Sequence, residues 1–237
     1  MPRKLNILTL NGKIARCKRC PRLIEHCTQV AAEKTARYRD MPYWGKPVPN
    51  LTPTKPTDAA RARLLIVGLA PGAHGANRTG RMFTGDRSGD FLFNAMHRAG
   101  LSNQPESTGE NDGLELIDTV VTGAGHCAPP GNRPTAEELN SCSSFLDQTF
   151  DLLPKLRVVV SLGGIAHRSM LGLYRRRGMV DRINRYPFGH GAWHRFDNAP
   201  DLVCCYHPSQ QNTFTGRLTP DMLIDVLNKA REYATNT

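Results

Sequence analysis

The chain predicts an α/β fold, a three-layer α/β/α sandwich around a central, mostly parallel sheet of four strands. Three observations carry this expectation. Short apolar runs of strand length recur at 64–69, 116–122, 157–162 and 202–206, each bounded as a buried strand is. Amphipathic stretches of helix length lie between and after them, at 88–99, 136–153, 164–173 and 220–233, and such alternation puts helices on both faces of a parallel sheet. The first apolar run leads through a glycine-rich turn into a helix, the order that sets a ligand site at the carboxyl end of a strand.

Along the chain, residues 1–40 form a basic, cysteine-bearing segment with an apolar patch at 5–10 and a predicted helix over 23–38. Residues 41–60 carry Pro42, Pro47, Pro49, Pro53 and Pro56, which predicts an extended connector, since proline fixes φ and donates no hydrogen bond. Residues 61–237 hold the α/β core, and the whole chain, 1–237, reads as one domain with no internal repeat. Thr135 is a good cap for the helix over 136–153, with Glu137 and Glu138 in its first turn, where carboxylates complement the helix dipole.

At 237 residues the chain is long enough to bury a substantial core. No apolar run is long enough to span a membrane, and the patch at 5–10 lacks the length and cleavage pattern of a secretory signal. The expected location is therefore intracellular: cytoplasmic and nucleoid-associated. A net charge of +10 points to a polyanionic partner and weighs against an enzyme of free nucleotides. Arg168, Arg175, Arg176, Arg177, Arg182, Arg185 and Arg195 share their region with only Asp181 and Asp197. Such a run is either a solvated face or a phosphate-binding one, and arginine suits bidentate phosphate contacts. Seven cysteines are an odd number, so a metal, a cluster or buried thiols are favoured over a disulfide framework.

Two loops carry the chemistry. Residues 68–86 read Gly-Leu-Ala-Pro-Gly-Ala-His-Gly-Ala-Asn-Arg-Thr-Gly-Arg-Met-Phe-Thr-Gly-Asp. They lack the Gly-Lys-Ser/Thr ending of a P-loop and the spacing of a dinucleotide fingerprint. The second loop follows the last apolar run as His207-Pro208-Ser209-Gln210-Gln211-Asn212-Thr213-Phe214-Thr215-Gly216-Arg217. Cys17 and Cys20 form a Cys-x-x-Cys, Cys127 lies past the second strand, and Cys142 falls on the following helix. Four thiolates from distant segments suit either tetrahedral zinc or an iron–sulfur cubane, and spacing alone does not choose. Cys204 and Cys205 read as small buried hydrophobes. Cys27 reads as a buried thiol or a substitute ligand.

Both loops resemble the paired motifs of the uracil-DNA glycosylase superfamily. The first is close to the signature of its family-5 branch, and the His-Pro-Ser-x-x-Asn-Thr-Phe-Thr-Gly-Arg-Leu-Thr string matches that branch too. The resemblance covers residues 15–235. It implies a monofunctional hydrolase of base excision repair that acts on DNA as a monomer, with a [4Fe–4S] cluster on Cys17, Cys20, Cys127 and Cys142. The cluster would be structural, pinning the N-terminal segment to the sheet, because base excision needs no redox step.

The resemblance also assigns roles. Phe83 would stack on the flipped base, its alternative being core packing, and Gly68, Ala70, Pro71, Gly72, Ala73 and His74 would line the sugar and the attacking water. Arg78 and Arg81 would hold phosphate or merely be solvated. His207, at a strand end, would donate to the base carbonyl and stabilise the departing anion. Ser209 would orient a phosphate or its own loop. Gln210, Gln211, Asn212 and Phe214 would fill the space the base vacates, with Arg217 on the DNA. Asp86 is the only acid of the first loop and would orient water or cap the next helix. His190, between Gly189 and Gly191, is a further pocket candidate.

Other branches place an acid or an amide where this chain has Ala70, so a dissociative reaction is expected, with the base leaving before water adds. No lysine sits at a motif position suited to a Schiff base. Gly123 stands where the family commonly has an asparagine that reads uracil, and losing a base-edge contact costs about 1–3 kcal/mol of discrimination. A roomier pocket is expected, accepting uracil and other deaminated bases such as hypoxanthine. The competing expectation is an iron–sulfur DNA-binding protein that recognises damaged bases without cleaving them.

Overall fold

The computed structural model describes residues 6–236. The N-terminal segment contributes α1 (Ile7–Ala15), α2 (Pro21–Glu33) and the single turn α3 (Pro56–Ala59). The core follows as β1 (Leu64–Gly68), α4 (Ala76–Thr79), α5 (Arg87–Arg98), β2 (Thr119–Gly123), α6 (Ala136–Asp151) and β3 (Val158–Leu162). It closes with α7 (Gly164–Arg176), β4 (Trp193–His194), β5 (Asp201–Cys205), α8 (Gln210–Phe214) and α9 (Pro220–Asn236).

The sheet has five strands in the order β2-β1-β3-β5-β4, one more than the four expected. β1, β2, β3 and β5 are parallel, and β4 adds an antiparallel edge through Trp193 and His194 beside Val203 and Leu202. Two residues are too few to leave an alternating pattern in the sequence. Every residue of the four parallel strands is buried, as both-face coverage requires. Leu64, Ile66, Val158, Val160 and Val203 face α5 and α9, while Leu65, Val67, Val120, Val159 and Leu202 face α1, α6 and α7.

Element ends follow local chemistry. Asp86 accepts the Gly89 N–H at 3.0 Å and caps α5, and Thr135 with Glu138 forms a full capping box on α6. The helix expected over 23–38 stops at Glu33, where Lys34 turns left-handed (φ 51°), and only a single tight turn, Ala36–Tyr38, follows. The patch at 5–10 is the start of α1, whose Ile7, Leu10 and Ile14 are buried at helical spacing; Leu5 lies outside the described residues. β2 begins at Thr119 rather than 116, because Leu116 instead bridges Ser102. The connector is sewn to the core. Leu51 bridges Val121, and the buried Asn50 amide holds Thr149 Oγ1 at 3.1 Å while its oxygen accepts from Thr122 at 2.5 Å.

From β1 the chain crosses to β2 on one side, and from β2 it returns past β1 to β3 on the other. The order thus reverses between β1 and β3, and the crevice at that reversal is where open α/β sheets bind ligands.

Candidate functional site

At the reversal a cleft of about 280 Å³ opens over the carboxyl ends of the strands, at the small end of ligand sites. Leu69 follows β1, Leu162, Gly163, Gly164 and Ile165 span the end of β3 and the start of α7, and Tyr206 and His207 follow β5. Phe188, Asn212 and Arg217 complete the lining. Gly163 has φ +94°, and a Cβ there would lie 3.3 Å from that of His207. Glycine thus lets β5 deliver the histidine close to the helix start.

Burial pushes the His207 imidazole down to about 4, so the ring is neutral at physiological pH. Its side chain has no hydrogen-bond partner among the described residues, which leaves its nitrogens to a ligand. Its backbone is held firmly: the Asn212 amide donates to the His207 carbonyl at 2.8 Å. Ser209 caps α8 by accepting the Asn212 N–H. Gln210, Gln211 and Phe214 are exposed on that short helix, and Phe214 is 67% exposed, the most of any large hydrophobic residue described. The Arg87 guanidinium lies 5.2 Å from its ring, and that of Arg217 lies 4.5 Å from Tyr206.

The Phe83 ring stands 6.0 Å from that of His207. Phe83 has φ +54°, a left-handed conformation that costs a non-glycine residue about 1–2 kcal/mol. Two glycines accommodate it. A Cβ on Gly68 would sit 2.5 Å from Phe83 Cζ, and one on Gly89 would overlap the Phe83 carbonyl oxygen.

The rest of the first loop is a braced scaffold. Besides capping α5, Asp86 packs its Oδ2 against Gly72 and Gly75, where a Cβ on Gly72 would lie 2.6 Å from it. Burial raises its carboxyl above the ordinary range. His74 Nδ1 pairs with the Tyr43 hydroxyl at 3.0 Å. Arg78 donates to the carbonyls of His74 and Gly85 at 2.8 and 2.9 Å and stacks over Tyr38 at 4.0 Å. Arg81 turns inward to Asp112 at 2.8 Å and to the Gly109 carbonyl. Burial works against the Asp112 charge, but Arg81 and the N–H groups of Leu114, Thr108 and Gly109 hold that carboxyl at about 2. Both arginines are therefore engaged within the protein.

Ala70 faces the other way, with Cβ 3.6 Å from the Cβ position of Gly125, and lines a second cavity. That cavity gathers Cys17, Cys20, Cys127 and Cys142 among the apolar Leu23, Ile24, Leu139 and Phe145. Three donors face its sulfurs: Arg19 Nε on Cys17 at 3.4 Å, the Ser141 hydroxyl on Cys20, and the His126 N–H on Cys142. His126 also lines it, with Nδ1 on the Val48 carbonyl at 2.7 Å and a buried, unpartnered Nε2. Four thiols with sulfur-directed donors in an apolar cage fit a thiolate-bound metal or cluster. Cys27 packs beside Cys127 with its thiol toward the Ala128 carbonyl, outside the cavity lining. An ion pair of Arg22 with Glu138 (2.7 Å) ties α2 to α6 around the cage.

The family model of the uracil DNA glycosylase superfamily matches residues 55–231. The chain belongs to the uracil DNA glycosylase superfamily. It is similar to the type-5 uracil-DNA glycosylase of Mycobacterium leprae, 47% identical over 230 residues, covering 97% of this chain and 96% of that protein. The Thermus thermophilus type-5 uracil-DNA glycosylase is 44% identical over 234 residues, 99% of each chain. That of Pyrobaculum aerophilum is 42% identical over 221 residues, 92% of this chain and 89% of its own.

Gly123 ends β2 beside Gly68 of β1, and a Cβ on it would lie 2.6 Å from the Gly125 carbonyl oxygen. His190 sits apart from the cleft lining: Nδ1 accepts the Tyr206 N–H at 3.3 Å, its ring packs on Tyr206, and burial lowers its pKa. From the same Phe-Gly-His-Gly stretch it is Phe188 that lines the cleft. Pro71 and Ala73 belong to the braced loop, with the Ala73 carbonyl taking the Asn77 amide at 3.3 Å. In the arginine run, Arg176 and Arg177 pair with Asp147 and Asp151 of α6 at the far end of α7. The glycine pair at 163–164 and Phe188 escaped the sequence reading; two adjacent glycines after an apolar run were the available signal. Among the described residues no helix is long and apolar enough to cross a membrane.

Proposed function

We propose that this protein is a monofunctional uracil-DNA glycosylase that hydrolyses the N-glycosidic bond of a flipped deoxyuridine and leaves an abasic site. The observation that carries the reading is the neutral, half-buried His207 just past the end of β5, which lines the cleft with its ring 6.0 Å from that of Phe83. The type-5 names of the relatives support it.

A duplex hides the scissile bond, so the nucleotide must first be extruded. Phe214, exposed at the tip of α8, occupies the vacated stack, with Gln210 and Gln211 beside it. Arg217 and Arg87 meet the phosphates near the cleft mouth. Phe83 receives the base face. His207 donates from its imidazole to the uracil carbonyl oxygen, where negative charge grows as the bond to the sugar stretches. A neutral donor stabilises that anion without surrendering its proton. Asp86 is committed to its cap and Ala70 has no polar group, so water activation has no carboxylate base in the first loop. The reaction is then dissociative: the base departs as an anion, and water adds to the sugar cation. No lysine lines the cleft among the described residues, in keeping with hydrolysis rather than strand cleavage.

The cage would hold a [4Fe–4S] cluster through Cys17, Cys20, Cys127 and Cys142, fastening α1, α2 and α6 to the end of β2. Its chemistry is structural here. Gly123 supports a relaxed preference that extends to hypoxanthine, since no side chain reads the base edge at that point. DNA is the partner and a monomer suffices, because one chain supplies every group named.

The test is purified protein with duplexes carrying one uracil or one hypoxanthine, followed by alkali. Strand breaks only after alkali, abolished in His207→Ala, are the expected result. DNA binding without abasic sites would refute the enzyme and leave a damage-binding protein. Because a side chain at 123 must displace the Gly125 carbonyl, the ratio of the two substrates in the native protein measures base selectivity better than Gly123→Asn does.

A further inference from the structure

At the edge of the sheet opposite the cysteine cage, three residues from three elements converge: His167 on α7, His194 on β4 and Cys204 on β5. Their ligand atoms all lie within 4.8 Å of one another, with His167 and Cys204 buried and His194 half-buried. Neither loop motif includes them, and the glycosidic chemistry above uses none of them.

The hydrogen bonds around them fix which atoms are available. His167 Nε2 lies 2.8 Å from the Tyr186 carbonyl oxygen, and His194 Nε2 lies 3.0 Å from that of Pro187. A carbonyl only accepts, so each Nε2 carries the proton and each Nδ1 presents a lone pair. Cys204 Sγ lies 3.3 Å from His167 Nδ1, close to the roughly 3.5 Å separating sulfur and nitrogen ligands on one tetrahedral zinc. Burial raises the Cys204 thiol pKa, with the Gly189 N–H and the Ser161 side chain acting the other way, so a bound ion must itself displace the thiol proton. Imidazoles whose other nitrogen is anchored on backbone carbonyls are the usual support of metal-binding histidines.

We infer that His167 Nδ1, His194 Nδ1 and Cys204 Sγ form a second metal site that takes one Zn²⁺, distinct from the four-cysteine cage. One thiolate and two imidazoles are a borderline-soft set suited to zinc. On binding, Cys204 releases its thiol proton to water and the sulfur–zinc bond replaces the contact to His167 Nδ1. The fourth position is left to water, reached from the side of the half-buried His194. The ion clamps the carbonyl-bearing stretch at 186–187 against α7 and β5. Phe188, which packs 5.7 Å from the His167 ring and lines the cleft, is thereby fixed.

Zinc absorption spectroscopy tests this on the iron–sulfur-loaded protein, since the zinc edge is read separately from iron. After incubation with zinc chloride and desalting, about one zinc per chain is expected, with one sulfur near 2.3 Å and two nitrogens near 2.0–2.1 Å. His194→Ala, at the most accessible ligand, should retain at least tenfold less zinc, as should Cys204→Ser. Cys205→Ser, on the other face of β5, should retain it. Zinc should raise the melting temperature of the native protein but not that of His194→Ala. No retained zinc, a four-sulfur shell, or retention unchanged in His194→Ala would each overturn the site.

Discussion

Replacing His207 with asparagine tests whether the imidazole is held neutral in the folded protein. In the folded protein its pKa is pushed from 6.5 down to about 4 by burial, while the unfolded chain titrates near the ordinary value. The folded state therefore binds fewer protons between those limits. Stability is complete above 6.5 and declines as pH falls toward 4. Between about pH 7.5 and about pH 5 the loss from this one group amounts to about 2 kcal/mol. Asparagine does not titrate there, so His207→Asn escapes that loss. Urea unfolding of both proteins at the two pH values gives the quantity, with m-values checked for constancy. Burial also lowers His126, His167 and His190, but these are common to both proteins and cancel in the difference. The gap between native protein and variant should shift toward the variant by about 2 kcal/mol on acidification. A gap that stays constant would refute a neutral His207, and with it the neutral-donor mechanism. The same reasoning predicts that kcat/KM on uracil DNA shows no limb near 6.5.

Gly68→Ala drives a methyl into the Phe83 ring; kcat/KM should fall at least about tenfold and stability by about 1–3 kcal/mol, measured by excision kinetics and urea midpoints. Phe214→Ala should leave stability within about 0.5 kcal/mol, yet lower excision from duplex DNA about tenfold, with a smaller effect on single strands where no stack must be filled. Cys142→Ser should lose the visible absorbance and iron content of the cage, and its melting temperature should fall because the cage no longer links α1 and α2 to α6; retention of full iron would exclude Cys142 as a ligand.

How far the sequence disclosed this molecule depended on the range of the interaction involved. The parallel strands were legible because both faces are buried, so their apolar runs are unbroken. β4 was not, because a two-residue edge strand takes its conformation from β5 rather than from its own pattern. Asp86 could be read as a cap from its place before a helix, and the structure puts it there. Arg81 could not be assigned, because its partner Asp112 reaches it across a long excursion of chain. The Phe-Gly-His-Gly stretch drew attention to His190, the more reactive side chain, whereas packing sends Phe188 to the cleft. Likewise, Cys204 reads as an ordinary strand residue until the fold sets two imidazoles beside it.

The hydrogen bond from Asn212 to the His207 carbonyl joins two tasks in one small lever. α8 is barely more than a turn, capped by Ser209 and closed onto Leu218 through the Asn212 carbonyl at 3.0 Å, so its two ends are tied together. Phe214 is at one end and the imidazole-bearing backbone at the other. On the proposed function, a displacement of the phenyl ring would reach the histidine backbone through the Asn212 hydrogen bond. Seating the ring and aligning the histidine would then be coupled through that one hydrogen bond.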